Sequence, residues 1–144
     1  MTLEVIGIEE VKRTLDQIAP RHANNLMRAT IQGIASEIAK DSKKNAPRDS
    51  GDLRKAIKAK RKRSPKNRPV SEVVVTQGRS ARYDAFYWRF VEYGTVKQAA
   101  APFIKPAEER VGNDLDRVVT EQFGKKLESA LKRARKRQAK AAQG

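Results

Sequence analysis

Acidic residues near an aromatic stretch are the strongest candidates for chemistry in this sequence. Glu92 lies within residues 87–107, which hold the only tryptophan and two of the three tyrosines. Together with Asp84 and Lys97 it gives an acid–acid–lysine series of the kind that nucleases use, although such spacing often arises by chance. The alternatives for Glu92 are a partner-binding carboxylate, an ion pair with Arg89, or a cap for backbone amides. The structural alternatives are favoured, because no second acid or base lies close in sequence.

Other catalytic or metal-binding arrangements have little support. The single histidine, His22, lies at the predicted start of a helix beside Arg21, which favours a surface position over a catalytic base. The chain has no cysteine, which excludes disulfides and thiolate metal sites. No glycine-rich phosphate-binding loop of standard spacing is present. We therefore expect no catalytic residue, no cofactor and no bound metal.

The net charge of +15 is concentrated in two stretches of the chain. Residues 54–69 hold nine lysines or arginines and no acid, residues 125–144 hold eight and one acid, and all other residues together sum to −1. Two interpretations remain open: sequence-independent contact with nucleic-acid phosphates, and contact with an acidic protein partner. Neither stretch contains an aromatic residue, so base stacking on a single strand is not expected. The candidate contacts are Lys58, Lys60, Arg61, Lys62, Arg63, Lys66, Arg68, Arg133, Arg135, Lys136 and Arg137.

Apolar spacing predicts helices in the first third of the chain. One helix is expected over residues 7–18, after a short strand over residues 3–6. A second helix begins at Pro20, since a proline in the first turn loses no hydrogen bond, and ends before Pro47. Gly33 inside this second helix indicates close packing against a neighbour.

A hairpin is predicted next. Residues 53–60 alternate loosely and are expected to enter a strand. Residues 70–77 are β-branched and form the clearest strand, and the two would pair around a mobile basic loop over residues 58–69.

The aromatic stretch and the end of the chain are predicted to be helical. Aromatic residues from Tyr83 to Phe90 recur at helical spacing, and Gly94 stands where a helix would be capped. Their size predicts that they join the other elements in the core. A long last helix is expected from Pro106, with its basic end over residues 132–140 frayed.

This order of elements predicts an α+β fold, with helices packed on a small antiparallel sheet. At 144 residues we expect one domain over residues 1–124 and a basic extension over residues 125–144. No apolar run approaches the roughly 20 residues of a membrane span, and the N-terminus lacks the pattern of a signal peptide.

Three motifs in this order resemble one protein family. Residues 46–57 read Ala-Pro-Arg-Asp-Ser-Gly-Asp-Leu-Arg-Lys-Ala-Ile, and residues 90–95 read Phe-Val-Glu-Tyr-Gly-Thr. Residues 101–107 read Ala-Pro-Phe-Ile-Lys-Pro-Ala. Together they resemble the neck and tail-completion (tail-component) proteins of long-tailed bacteriophages and prophages, over about residues 7–125.

The resemblance implies a non-enzymatic virion protein of the neck or tail, made in the host cytoplasm. It would join the DNA-filled head to the tail by multimeric docking, as a homo-oligomeric ring against head-closure, tail-terminator or tail-tube proteins, with DNA contact accessory. The alternative, a small basic nucleic-acid-binding protein, explains only the two basic stretches. The motif residues expected to act in interfaces or in the fold are Pro47, Gly51, Leu53, Trp88, Phe90, Glu92, Tyr93, Gly94, Thr95, Pro102, Phe103 and Pro106.

Overall fold

The computed structural model describes residues 20–48, 51–65, 68–78 and 84–144. The strand predicted over residues 3–6 and the helix predicted over residues 7–18 lie outside these ranges. Within them the chain forms five helices and two strands, which confirms the predicted α+β class. In chain order they are α1 (Pro20–Asn45), α2 (Asp52–Ala56), β1 (Ile57–Lys62), β2 (Val70–Val75), α3 (Trp88–Tyr93), α4 (Lys105–Asn113) and α5 (Leu115–Ala142).

Helix α1 is the central element, because the hairpin, α4 and α5 all pack against it. It begins at Pro20 and ends at Asn45, two residues before Pro47, as the proline positions predict. Gly33 faces α5, where an added methyl group would collide with the buried side chain of Gln122. The close packing predicted at this glycine is therefore confirmed.

The hairpin is antiparallel, with Ile57 opposite Val75 and Lys62 opposite Val70. Its inner face packs on α1, where the Gln32 side chain donates to the Ala59 carbonyl at 3.2 Å and accepts from the Ser71 hydroxyl at 2.8 Å. Residues 58–62 belong to β1, so the predicted loop over residues 58–69 began too early.

Residues 53–56, which were predicted to enter a strand, belong instead to the short helix α2. Leu53 and Ala56 are both buried, and their spacing of three residues is that of one helix face. The loose alternation of charged and apolar residues concealed this shorter helical pattern.

Two apolar clusters form the core of the described residues. The larger one surrounds Phe103 and contains Leu53, Ala56 and Ile57, with Ala39 of α1 and Ala46 just after it. The smaller one joins Leu26 of α1 to Phe123 of α5.

The predicted last helix is divided in two. α4 ends at Asn113 and α5 starts at Leu115, which is 44% exposed rather than on the predicted apolar face. Asp114 between them bonds the Arg117 guanidinium at 3.0 Å, and that hydrogen bond raises the pKa of Arg117. The fraying predicted over residues 132–140 is wrong, since α5 continues to Ala142 with exposed side chains. No helix within the described ranges is both long and apolar enough to cross a membrane.

Candidate docking site

The aromatic segment forms the predicted short helix, α3, and Gly94 ends it. The Gly94 amide donates to the Phe90 carbonyl at 2.9 Å. Gly94 has φ 75° and ψ 175°, a conformation that is essentially restricted to glycine. A Cβ at this position would also lie 2.7 Å from the Ala100 nitrogen. Both the backbone angles and the lack of space therefore require glycine.

The Glu92 carboxylate points into the molecule and is a cap for backbone amides. Its residue is 6% exposed. Oε2 accepts from the Phe103 amide at 2.8 Å and the Ile104 amide at 3.0 Å, and Oε1 accepts from the Lys105 amide at 2.9 Å. The Ile104 and Lys105 amides open α4, where the N-cap residue Ile104 provides no capping side chain of its own. A carboxylate satisfies such unpaired donors and interacts favourably with the positive end of the helix dipole.

The acid–acid–lysine series predicted as the remote nuclease alternative does not form a free catalytic pair. Asp84 accepts from the Gly78 amide at 2.9 Å, and both Glu92 oxygens are taken by backbone amides. His22 is exposed in the first turn of α1, where the sequence placed it.

The loop between α3 and α4 brings these amides to the carboxylate. Thr95 exchanges backbone hydrogen bonds with Gln98, and its hydroxyl accepts from the Gln98 amide at 3.1 Å. The Ala101 amide then donates to the Val91 carbonyl at 2.8 Å, so the chain returns alongside α3. Pro102, which is exposed, precedes buried Phe103, and its ring fixes its own φ at about −65°.

Phe103 connects the loop to the core. Its side chain is fully buried, and its carbonyl accepts from the Asn45 side chain at 3.3 Å, at the last residue of α1. Pro106, exposed in the first turn of α4, lacks an amide that would otherwise need a partner.

The first motif, residues 46–57, packs beside the end of α1 and contributes to the Phe103 cluster. Gly51 has φ 74° and turns the chain into α2, where Leu53 enters the Phe103 cluster. The Arg54 guanidinium donates to the Ala46 carbonyl at 3.2 and 2.9 Å, just beyond the end of α1, and Pro47 between them is half-buried. A cation there is favoured by the helix dipole.

Sequence reasoning missed Arg54, counting it among the basic stretch instead. The available signal was its position within the first motif. We call Glu92, Gly94 and Phe103, together with Arg54 at the end of α1, the capped joint.

The large aromatic residues of this segment face outward, which corrects their predicted place in the core. Phe86 is 65% exposed, Phe90 52% and Tyr93 74%, while Trp88 is half-buried against the Phe103 cluster. Tyr83 lies outside the described residues. We call the exposed set Phe86, Phe90, Tyr93 and Val96 the aromatic stripe. Phe90 and Tyr93 lie three residues apart on one face of α3, Phe86 precedes the helix in a turn, and Val96 follows it in the adjoining loop.

The family comparison agrees with the motifs that form this joint. Residues 9–94 match the family model described as "Bacteriophage HK97-gp10, putative tail-component". The chain belongs to this phage tail-component family. No curated protein and no solved structure shows significant similarity to the chain. The family is one of structural virion proteins, which supports a structural role in a phage particle.

The described basic candidates all lie on the surface. Lys58, Lys60 and Lys62 share the outer face of β1, and Arg61, Arg63 and Arg68 are exposed around the hairpin loop. Lys66 lies outside the described residues. The C-terminal candidates Arg133, Arg135, Lys136 and Arg137 are exposed on α5.

Proposed function

We propose that this tail-family chain acts at the neck of a long-tailed phage, where it joins the DNA-filled head to the tail as a homo-oligomeric ring. Membership of the tail-component family supports a structural role in the virion. The aromatic stripe is the observation that carries the docking part of this proposal. Aromatic residues are enriched in protein interfaces, and a cluster of them on an exposed face marks an interaction site.

The capped joint orders the aromatic stripe before a partner binds. Three backbone amides donate hydrogen bonds to Glu92, and the chain turns at Gly94 with angles that only glycine adopts readily. Both features fix α3 against the loop that follows it. A surface that is already ordered loses less entropy when a partner binds. The stripe is flanked by the exposed cations Arg89 and Lys97, so its partner should present an apolar group among acids.

The chain carries such a surface at the α4–α5 junction, where exposed Leu115 lies beside the exposed acid Asp116, while Asp114 on its other side forms an ion pair with Arg117. The length of α4 separates this junction from the Glu92 cap by about 13 Å, so the two surfaces lie at opposite ends of that helix. A stripe on one copy that docks on the junction of the next copy makes a head-to-tail contact, which closes into a ring if the rotation permits.

The deciding experiment compares the molar masses of variants by size exclusion with light scattering. We expect the wild-type chain to form closed oligomers, and Phe90→Ser with Tyr93→Ser to give the 16.2 kDa monomer with an unchanged melting temperature. Leu131→Ser removes a 50%-exposed apolar side chain elsewhere and should leave the oligomer intact. A monomeric wild-type chain, or equal loss in both variants, would overturn the second-copy assignment.

Charge reversal tests which surfaces meet. Arg89→Glu with Lys97→Glu should abolish assembly, as should Asp116→Arg in a second chain. Mixing the two chains should restore oligomers, because each contact then again pairs opposite charges. If mixing restores nothing while the aromatic variants still dissociate, the stripe docks on a surface of the neighbouring copy other than the α4–α5 junction.

The role in the particle is tested by deleting the gene from a prophage that carries it. Filled heads and complete tails that fail to join are expected by electron microscopy. Joined, infectious particles would show that the neck assignment is wrong, whatever the oligomeric state of the purified chain.

A further inference from the structure

The two basic stretches, far apart in sequence, end beside the same part of α1. β1 runs from Ile57, packed in the core with the end of α1, to Lys62, which lies beside Arg28 near its start. Helix α5 also runs towards the N-terminal end of α1: it starts at the α4 junction and reaches Phe123, which packs on Leu26. The hairpin loop and the distal half of α5 therefore extend at one end of the molecule.

Cations crowd together at the hairpin side of this end. Arg28, Arg61 and Lys62 line one shallow depression. Lys62 lies 3.6 Å from Glu72, whereas neither arginine has a carboxylate within ion-pair distance among the described residues. Like charges placed this close destabilise the folded chain unless an anion binds between them. Within the described residues, Arg28 and Arg61 are therefore available to bind an anionic partner.

The α5 side presents a second row of cations. Beyond Glu128 the described chain contains no acid, and six cations follow over residues 132–140. Five of them lie at helical intervals on one broad face of α5, namely Lys132, Arg133, Lys136, Arg137 and Lys140. Because α5 is helical through Ala142, these charges are held in a regular array.

We propose that the described cations at the end of the hairpin (Arg61, Lys62, Arg63 and Arg68) and the distal half of α5 together form one binding surface for the phosphate backbone of duplex DNA. An acidic protein is the less suitable partner, since protein interfaces need an apolar centre. Residues 61–65, 68–69 and 132–144 contain no apolar side chain larger than alanine or proline. Exposed Val70 beside the hairpin cations and exposed Leu131 beside the α5 cations are single apolar residues among many charges, not an apolar centre. Duplex DNA carries one charge per roughly 1.7 Å and is bound by cations alone. Without aromatic residues, these elements cannot stack the bases of a single strand.

The experiment measures binding of the full chain to a 25-base-pair duplex of mixed sequence, by fluorescence anisotropy over a range of salt. Contact with about six phosphates predicts a slope of log K against log salt near −5. Arg61→Gln, Lys62→Gln and Arg63→Gln together should make this slope shallower by about 2–3, and so should Arg133→Gln, Arg137→Gln and Lys140→Gln together. The combination of both sets should abolish binding at 0.1 M salt.

A charge-matched control variant distinguishes binding at this surface from binding that depends only on the net charge of the chain. Lys40→Gln, Lys43→Gln and Arg48→Gln remove the same charge from exposed positions elsewhere, and should change the affinity by less than about twofold and leave the slope unchanged. An equal loss in this control would show that binding depends on total charge, and would overturn the proposal.

A competitor identifies the ligand. Polyglutamate with the same number of charges should displace the duplex only at a large excess, because its charges are not held in a fixed array. Equal competition would assign the surface to acidic protein instead. Single-stranded DNA that binds more tightly than duplex would also contradict the proposal. None of these outcomes depends on ring formation, since the aromatic stripe is intact in every variant.

Discussion

The capped joint and the basic end of the molecule hold charge in opposite ways. Glu92 is buried, and both of its oxygens accept from backbone amides. Arg28 and Arg61 lie beside another cation, and within the described chain no carboxylate pairs with either. A satisfied buried charge fixes the shape of the fold, whereas an uncompensated surface charge is available to a partner. The strongest acid candidate, Glu92, is therefore structural, whereas Arg28 and Arg61 are available to a binding partner.

The largest effect on stability is expected from Glu92→Ala. It removes the acceptor for three amides, two of which open α4, and leaves buried donors without partners. We expect a loss of about 3–5 kcal/mol in unfolding free energy. This corresponds to about 10 °C in melting temperature for a chain of this size. Urea denaturation followed by circular dichroism measures it.

Two controls separate the cap from the charge. Glu92→Gln keeps one acceptor oxygen and should lose about half as much. Glu108→Ala removes an exposed acid from the first turn of the same helix, and should cost less than about 1 kcal/mol. Equal losses for Glu92→Ala and Glu108→Ala would mean that the helix dipole, and not the three hydrogen bonds, explains the stability of the joint.

An intermediate effect is expected from Gly94→Ala, again by urea denaturation. The alanine would adopt backbone angles outside the left-handed helical region and meet the Ala100 backbone, which should cost about 2–4 kcal/mol. Gly51→Ala is the matched control, since Gly51 also has positive φ but nothing lies within 4 Å of an added Cβ. It should cost about 1 kcal/mol. A larger loss at Gly51 than at Gly94 would contradict the close approach in the joint.

Local patterns in the sequence predicted much of the fold, because helix stops and strand pairs depend on near neighbours. Pro20 and Pro47 placed the ends of α1, and the β-branched residues placed β2. The break after α4 was missed because apolar residues continue at helical spacing across it. Leu115 carries that spacing but faces outward.

The joint was harder to predict, since periodicity identifies a helix face without saying whether it is buried. The aromatic face of α3 was recognised, yet it lies outside while Glu92 lies inside. The reason is tertiary: the amides that satisfy Glu92 come from residues 103–105, after a loop whose path depends on Gly94. The proximity of the two basic stretches could not be predicted from the sequence either, because only the packing of β1 and α5 on α1 brings them to the same end of the molecule.

The smallest effect, and one of opposite sign, is expected at the basic end. Arg61→Gln relieves repulsion among Arg28, Arg61 and Lys62 and removes no ion pair within the described chain. At low salt the unfolding free energy should rise by about 0.3 kcal/mol. This gain should vanish at 0.5 M salt, because screening removes the repulsion.

Lys43→Gln, which removes an exposed charge near the other end of α1, is the control and should show no comparable salt dependence. Paired urea titrations at two salt concentrations measure both variants. If Arg61→Gln instead destabilises the chain at low salt, Arg61 contributes to the fold as Glu92 does. The contrast between a structural charge and one open to a partner would then fail at this residue.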